Sequence, residues 1–148
     1  MKSGNTVEIR AEPGDSPSWL AALATYIHAV LALLGVENRE LSVLITDDPT
    51  MQDLNKRFRA IDEPTDVLSF GDDPPEETGP MGDLVIDLAQ VGRQAPLFHV
   101  TAEEELRRVT VHGILHLLGH RHQTDDLMAE PMLQLQEELL QTVEERLF

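Results

Sequence analysis

The chain contains no cysteine. Disulfides and thiolate metal sites are therefore excluded, and any bound metal must be held by His, Asp or Glu. Aromatic residues are only 4% of the sequence, so the core has to be built from Leu, Val and Ile. No run is long and apolar enough for a membrane span, since the most apolar stretch, residues 19–36, is interrupted by Thr25, Tyr26 and His28. The opening residues, MKSGNTVEIRAEPGDSP, lack the apolar segment of a signal peptide. A soluble, cytoplasmic protein with no membrane partner is expected. Positive charge is scarce as well: 11 Lys and Arg against 27 Asp and Glu give a formal charge of −16. That balance opposes binding to a phosphate backbone unless basic residues gather locally. Basic residues do gather at Lys56, Arg57 and Arg59, and again at Arg107, Arg108 and Arg121.

What is present is 148 residues, 41% of them hydrophobic, enough for one domain over residues 1–148. There is no internal repeat and no linker. A strand is expected at 6–9. A helix follows from Ser16-Pro17 to about Leu34, stopped by Gly35, with Leu20, Leu23, Ile27, Leu31 and Leu34 at three- and four-residue steps. A buried strand is expected at 41–45. Asp48-Pro49 should open a helix carrying Met51, Leu54, Asn55 and Phe58. A turn at Glu63-Pro64-Thr65 leads to a strand at 66–70, then a proline-rich acidic loop at 71–80 and a strand at 83–88. Residues 89–100 are partly helical. Thr101 with Glu104 fits a capping box opening a helix to about Leu118, ended by Gly119. The last helix, 126–147, has Met128, Met132, Leu135, Leu139 and Val143 on one stripe, with Pro131 near its start. The expected fold class is α+β: a small mixed β-sheet packed with helices, with a metal-binding histidine helix lining a cleft.

Four of the six histidines fall within His112-Gly-Ile-Leu-His116-Leu-Leu-Gly-His120-Arg-His122. Residues four apart on a helix share a face, so His112 and His116 can aim both imidazoles at one ion. Gly119 turns the chain and lets His122 return to the same point. Three neutral imidazoles leave a fourth zinc position open to water, the arrangement of catalytic rather than structural zinc. The expected cofactor is one Zn2+ per chain, held by His112, His116 and His122. Isolated histidines are usually core or surface residues, and His28 and His99 are read so. His120 is a donor that supports a metal ligand from behind, a substrate contact or simply exposed. Gly113 stands where zinc proteases of the His-Glu-x-x-His type keep their general base, which argues against peptide hydrolysis.

The segment HGILHLLGHRH resembles the H-G-x-L-H-L-x-G-[YH]-D-H signature of the YbeY family, bacterial rRNA maturation factors described as metal-dependent, single-strand-specific endoribonucleases. Residues 54–70, LNKRFRAIDEPTDVLSF, are similar to the family's L-N-x-x-[YF]-R-x-x-[DN]-x-P-T-D-V-L-S-F, and Gly82-Asp83-Leu84-Val85-Ile86 to its G-D-I-x-I strand. Order and spacing agree across residues 41–136. The resemblance implies zinc ligands at His112, His116 and His122 and a catalytic role for Arg59. It further implies single-stranded RNA and rRNA as substrate, maturation of the 16S rRNA 3′ end, ribosome quality control, and the small ribosomal subunit with its proteins as partners, but not DNA.

The chemistry of these residues agrees. A guanidinium is a permanent, planar partner for phosphate and suits charge developing on a phosphodiester. The bland alternative for Arg59 is an ion pair with Asp62 or Asp66. Lys56 and Arg57 are strand guides or a solvated helix face, the latter favoured for Arg57. Pro64 and Thr65 suit a rigid turn; Val67, Leu68 and Phe70 suit the sheet core. Asp66 and Ser69, as polar strand residues, are expected to face solvent rather than the cleft. One departure is Arg121, where the family has Asp before the last histidine. An arginine there cannot orient a metal ligand as a carboxylate would, and is available to phosphate instead. Two other readings stay open. One is a non-catalytic small-subunit assembly factor with structural zinc, favoured by acidic charge that suits a basic ribosomal protein. The other is a zinc peptidase or amidase.

Overall fold

Side chains alternate across a strand, and the apolar positions of this chain use that to build two cores on opposite faces of one sheet. In the computed structural model the described residues are 4–14, 16–72, 78–119 and 131–143. Strand β1 (Thr6–Ala11) crosses over helix α1 (Leu20–Leu33) to pair in parallel with β2 (Arg39–Thr46). Helix α2 (Asp48–Arg59) and strand β3 (Val67–Phe70) follow, before β4 (Gly79–Asp87) runs parallel to β2 on its far side. β3 pairs antiparallel with β4, so the sheet is mixed, in the order β1-β2-β4-β3. Helix α3 (Leu88–Gln94), a 3₁₀ turn (Pro96–Phe98), α4 (Ala102–Leu117) and α5 (Pro131–Thr142) complete the domain. The α+β expectation holds. Among the described residues no helix is long and apolar enough to cross a membrane.

Leu41, Val43 and Ile45 of β2, with Leu84 and Ile86 of β4, meet Leu23, Ile27 and Leu31 of α1 and Leu106, Ile114 and Leu115 of α4 in the main core. The other face carries a smaller cluster in which Met51 of α2 covers Leu68 and Val85, flanked by Leu44, Leu54 and Phe70. Phe58 is exposed and meets Phe70 edge-on, 5.2 Å between centroids.

Three expected boundaries are wrong. Helix α1 starts at Leu20, not at Ser16-Pro17; its N-cap is Trp19, which supplies no side-chain cap. The Pro17 carbonyl instead accepts from the Leu20 N–H at 3.3 Å, closing a turn ahead of the helix. The acidic loop expected at 71–80 ends earlier, because Gly79 and Pro80 already belong to β4. Buried Arg39 is the physical reason: its Nε donates to the Gly79 carbonyl (3.1 Å) and its Nη2 to that of Pro80 (3.2 Å). A β-bulge follows, with Glu40 opposite Pro80 but Leu41 opposite Gly82. The extra residue puts Met81 on the same face as Leu84 and Ile86. Gly82 adopts φ +140, and a Cβ there would strike the Phe70 carbonyl, so only glycine fits. The strand proposed for 83–88 yields Leu88 to α3, which spans 88–94 and so overlaps the first part of the partly helical 89–100 stretch. The part of the last helix proposed for 126–130, with Met128, lies outside the described residues.

Helix α4 approaches the sheet through Gly113. A Cβ on it would lie 2.6 Å from a methyl of fully buried Leu84 and 3.3 Å from Val67. This explains why no glutamate follows His112: there is no space for a side chain.

Asp87 ends β4 and caps α3, its Oδ1 accepting from the N–H groups of Ala89 (3.0 Å) and Gln90 (3.3 Å). It is fully buried, with Asp48 as its carboxyl neighbour. Two unprotonated carboxylates offer each other no donor. Burial first, then Asp48, push Asp87 up to about 7 from 3.8. The two bonds from Arg93, both 2.7 Å, hold Asp48 down at about 2.

A raised carboxyl pKa gives stability that is full below the unfolded value near 3.8 and is lost as pH rises through about 7. Asp87→Asn keeps the cap and lets its amide donate to Asp48. The variant will exceed wild type by roughly 1–3 kcal/mol at pH 8, with the gap narrowing at pH 5 and closing only as pH falls to about 3.8, in urea unfolding across that range. Gly113→Ala will lose about 1–3 kcal/mol through overpacking. Gly92→Ala, in open space on exposed α3, will gain up to about 1 kcal/mol from helix propensity in the same assay.

Candidate active site

The register of α4 is fixed at its first turn. Thr101 Oγ1 accepts from the Glu104 N–H (3.1 Å) while Glu104 Oε1 accepts from the Thr101 N–H (3.0 Å), the expected capping box. Three turns on, His112 and His116 stand above one another on the face beside β3. Their ring centroids are 4.6 Å apart and their Nε2 atoms 3.1 Å apart. His112 Nδ1 sits 2.7 Å from Oε1 of Gln136 on α5. An amide oxygen only accepts, so at this contact Nδ1 is the donor.

These histidines form one wall of a cleft of about 500 Å³. Residues 65–69 of the turn and β3 form the facing wall, and Arg59 stands at the mouth. Arg59 is the last residue of α2 and is exposed. The chain turns sharply behind it, with Ala60 in the left-handed region at φ 59. Buried Asn55 holds the turn, its Nδ2 donating to the Glu63 carbonyl at 2.8 Å. Gln52 holds it a second time through Asp62 Oδ1 at 3.0 Å. Among the described residues Arg59 has no ion pair with Asp62 or Asp66. Asp62 is instead near Lys56 (3.9 Å), and Arg57 pairs with Asp53 (3.2 Å), as a solvated helix face would.

Asp66 and Ser69 line the cleft rather than face away from it. The Asp66 carboxylate is nevertheless occupied: Oδ1 accepts from the Val67 N–H (2.7 Å) and Oδ2 from Gln94 Nε2 (2.9 Å). The same Gln94 nitrogen donates to Glu105 Oε2 at 2.6 Å. Burial raises the pKa of Glu105, and Arg108 pairs with both Glu105 (3.4 Å) and Glu137 (2.7 Å). The network ties the cleft wall to α3, α4 and α5, so Asp66 acts as a tether. Sequence reasoning missed Gln94 and Gln136, because a glutamine reaching across helices leaves no periodic signal.

Two facing imidazole nitrogens, with one ring anchored through its other nitrogen, are a donor set suited to a divalent cation such as zinc. Among the described residues no group of three or more His, Cys, Asp or Glu could hold a metal. His122, the third expected ligand, lies outside the described residues, as do His120 and Arg121.

A sequence model of the family described as Endoribonuclease YbeY matches residues 8–144. A curated relative from Treponema denticola, named Endoribonuclease YbeY, is 46% identical over 146 residues, covering 95% of this chain and 93% of the relative. One from Treponema pallidum with the same name is 38% identical, covering 95% and 91%. A solution structure of a Thermotoga maritima protein superposes with TM-score 0.67 at 27% identity, covering 93% of this chain and 89% of that one. The match extends from β1 to the end of α5 and includes every residue that lines the cleft, and the chain belongs to the YbeY endoribonuclease family.

Proposed function

We propose that this protein is a cytoplasmic, zinc-dependent endoribonuclease that cuts single-stranded RNA in the maturation of rRNA, including the 3′ end of 16S rRNA. The observation that carries the reading is the convergence of the His112 and His116 Nε2 atoms, 3.1 Å apart, on a cleft whose mouth holds Arg59. His112, His116 and His122 hold the metal. Zinc, when bound, supplies Lewis-acid activation of water and phosphate. Arg59 contributes a permanent bidentate cation where phosphodiester charge builds up. Its side chain is exposed and has no carboxylate partner among the described residues, so little has to be broken before it engages phosphate. Asp66, held by Gln94 and by the Val67 N–H, keeps the facing wall in place.

An assembly-factor reading is favoured by a different surface. The part of the α2 side of the sheet that α2 leaves open presents exposed Glu8, Glu40 and Asp83 around a hollow of about 240 Å³. With the charge of −16, that face suits a basic protein of the small ribosomal subunit. Docking there is compatible with catalysis in the cleft. A peptidase reading is weakened by Gly113, which leaves no room for a general base.

Elemental analysis should find one zinc per chain in wild type and none in His116→Ala, with cleavage of a single-stranded RNA lost alongside the metal. Zinc without any cleavage would favour the assembly factor, and no stoichiometric metal would overturn the metal-centre reading. Arg59→Ala is expected to keep its zinc while kcat on the same RNA falls by about 10²–10³-fold. Arg59→Lys will recover little of that loss, since an ammonium cannot bind bidentately.

A further inference from the structure

The C-terminal helix contributes to the histidine site in a way the family match does not assign. Gln136 is only 4% exposed, so its amide is cut off from water and its hydrogen bonds must be made within the protein. Its Oε1 lies 2.7 Å from His112 Nδ1. The next residue, Glu137, accepts from Arg108 Nη1 at 2.7 Å. Arg108 and His112 lie one turn apart on α4. Consecutive residues of α5 therefore engage consecutive turns of α4, and the ion pair sets the register that brings the glutamine to the histidine. Leu139 and Val143, both buried, fix the far end of the same helix in the main core.

A neutral imidazole has one protonated and one bare nitrogen, and only the bare one can ligate a metal. Left to itself, His112 would divide between two tautomers and several ring orientations. An acceptor held against Nδ1 selects the tautomer with Nε2 bare and fixes the ring plane. Inference and metal-centre reading are linked, since the preorganised Nε2 matters only if His112 is a ligand.

We propose that Gln136 is a positioning residue for the metal site: its amide oxygen holds His112 as the Nδ1–H tautomer, with Nε2 aimed at the metal. Gln136 does not ligate and touches no substrate. Its contribution is the orientation of His112, and α5 is thereby part of the metal centre.

Three readouts on the full chain test this: Zn2+ affinity by competition with a chromophoric chelator, the His112 ring nitrogens in 1H–15N spectra of the metal-free protein, and thermal unfolding of the metal-free protein. Gln136→Met keeps the length and removes the acceptor, whereas Gln136→Glu keeps an acceptor. Wild type is expected to show a protonated Nδ1 and a bare Nε2. Gln136→Met should bind Zn2+ about 10–100-fold more weakly and show mixed tautomers. Gln136→Glu should stay within a few-fold of wild type with the tautomer retained.

Unchanged Zn2+ affinity in Gln136→Met would overturn the proposal, even with a lowered Tm, because that is the result of a packing role alone. Equal loss of affinity in both variants would overturn it too. So would a bare Nδ1 in wild type, which would mean that the amide nitrogen, not the oxygen, faces His112. If wild type binds no Zn2+, the metal-centre reading fails by itself, and the tautomer in the metal-free protein still decides whether Gln136 orients the ring.

Discussion

The close approach of α4 to the sheet is the constraint on which the site depends. Gly113 lets the helix backbone settle against Leu84 and Val67, and the residues beside it inherit that closeness. His112 and His116 come to face the β3 edge across a cleft instead of being held away by a bulkier contact. The same contact sets the cleft's width, because the facing wall is the next strand over. A residue without a side chain thus does more to shape the site than most residues that have one. Interiors pack at crystal-like density, so the helix cannot be moved outward without opening a void.

The remaining walls are held by polar contacts that water does not reach freely. Asn55 clamps the turn behind Arg59. Gln94 bridges Asp66 to Glu105 with one nitrogen, and Arg108 links that carboxylate to α5. Amides recur here for a reason. An amide can join two carboxylates, or a carboxylate and a ring, without adding another buried charge to a chain that already carries a large excess of negative charge. Where two carboxyls do meet directly, at Asp87 and Asp48, the neighbours divide the work. Arg93 neutralises Asp48, and burial drives Asp87 toward its protonated form.

Much of this was legible in the sequence, and the pattern of success is physical. Local signals were reliable. The Thr101–Glu104 box, the helix opened by Asp48-Pro49, the three-and-four spacing of α1 and the i, i+4 histidine pair all depend on residues within a turn or two of each other. The misplaced start of β4 depended on a distant partner. β4 begins early because Arg39, forty residues upstream of Gly79, bonds its carbonyl. Asp66 and Ser69 face the cleft because β3 is an edge strand next to α4, which no pattern within β3 can reveal. Gln136 was hidden for the same reason. Its neighbours Leu135 and Leu139 mark the apolar stripe, while its own partner lies on another helix.

The position of Gln136 along the chain also bears on when the site is complete during synthesis. It leaves the ribosome twenty-four residues after His112, a delay of roughly one to five seconds at ordinary elongation rates. Until then the sheet, α4 and the turn behind Arg59 can assemble, but His112 lacks its contact with Gln136. A nascent chain therefore presents its histidine pair before α5 has docked beside it. The helix made after α4 is thus the one that sets the plane of the His112 ring, so the order of synthesis places this clamp after the fold it clamps.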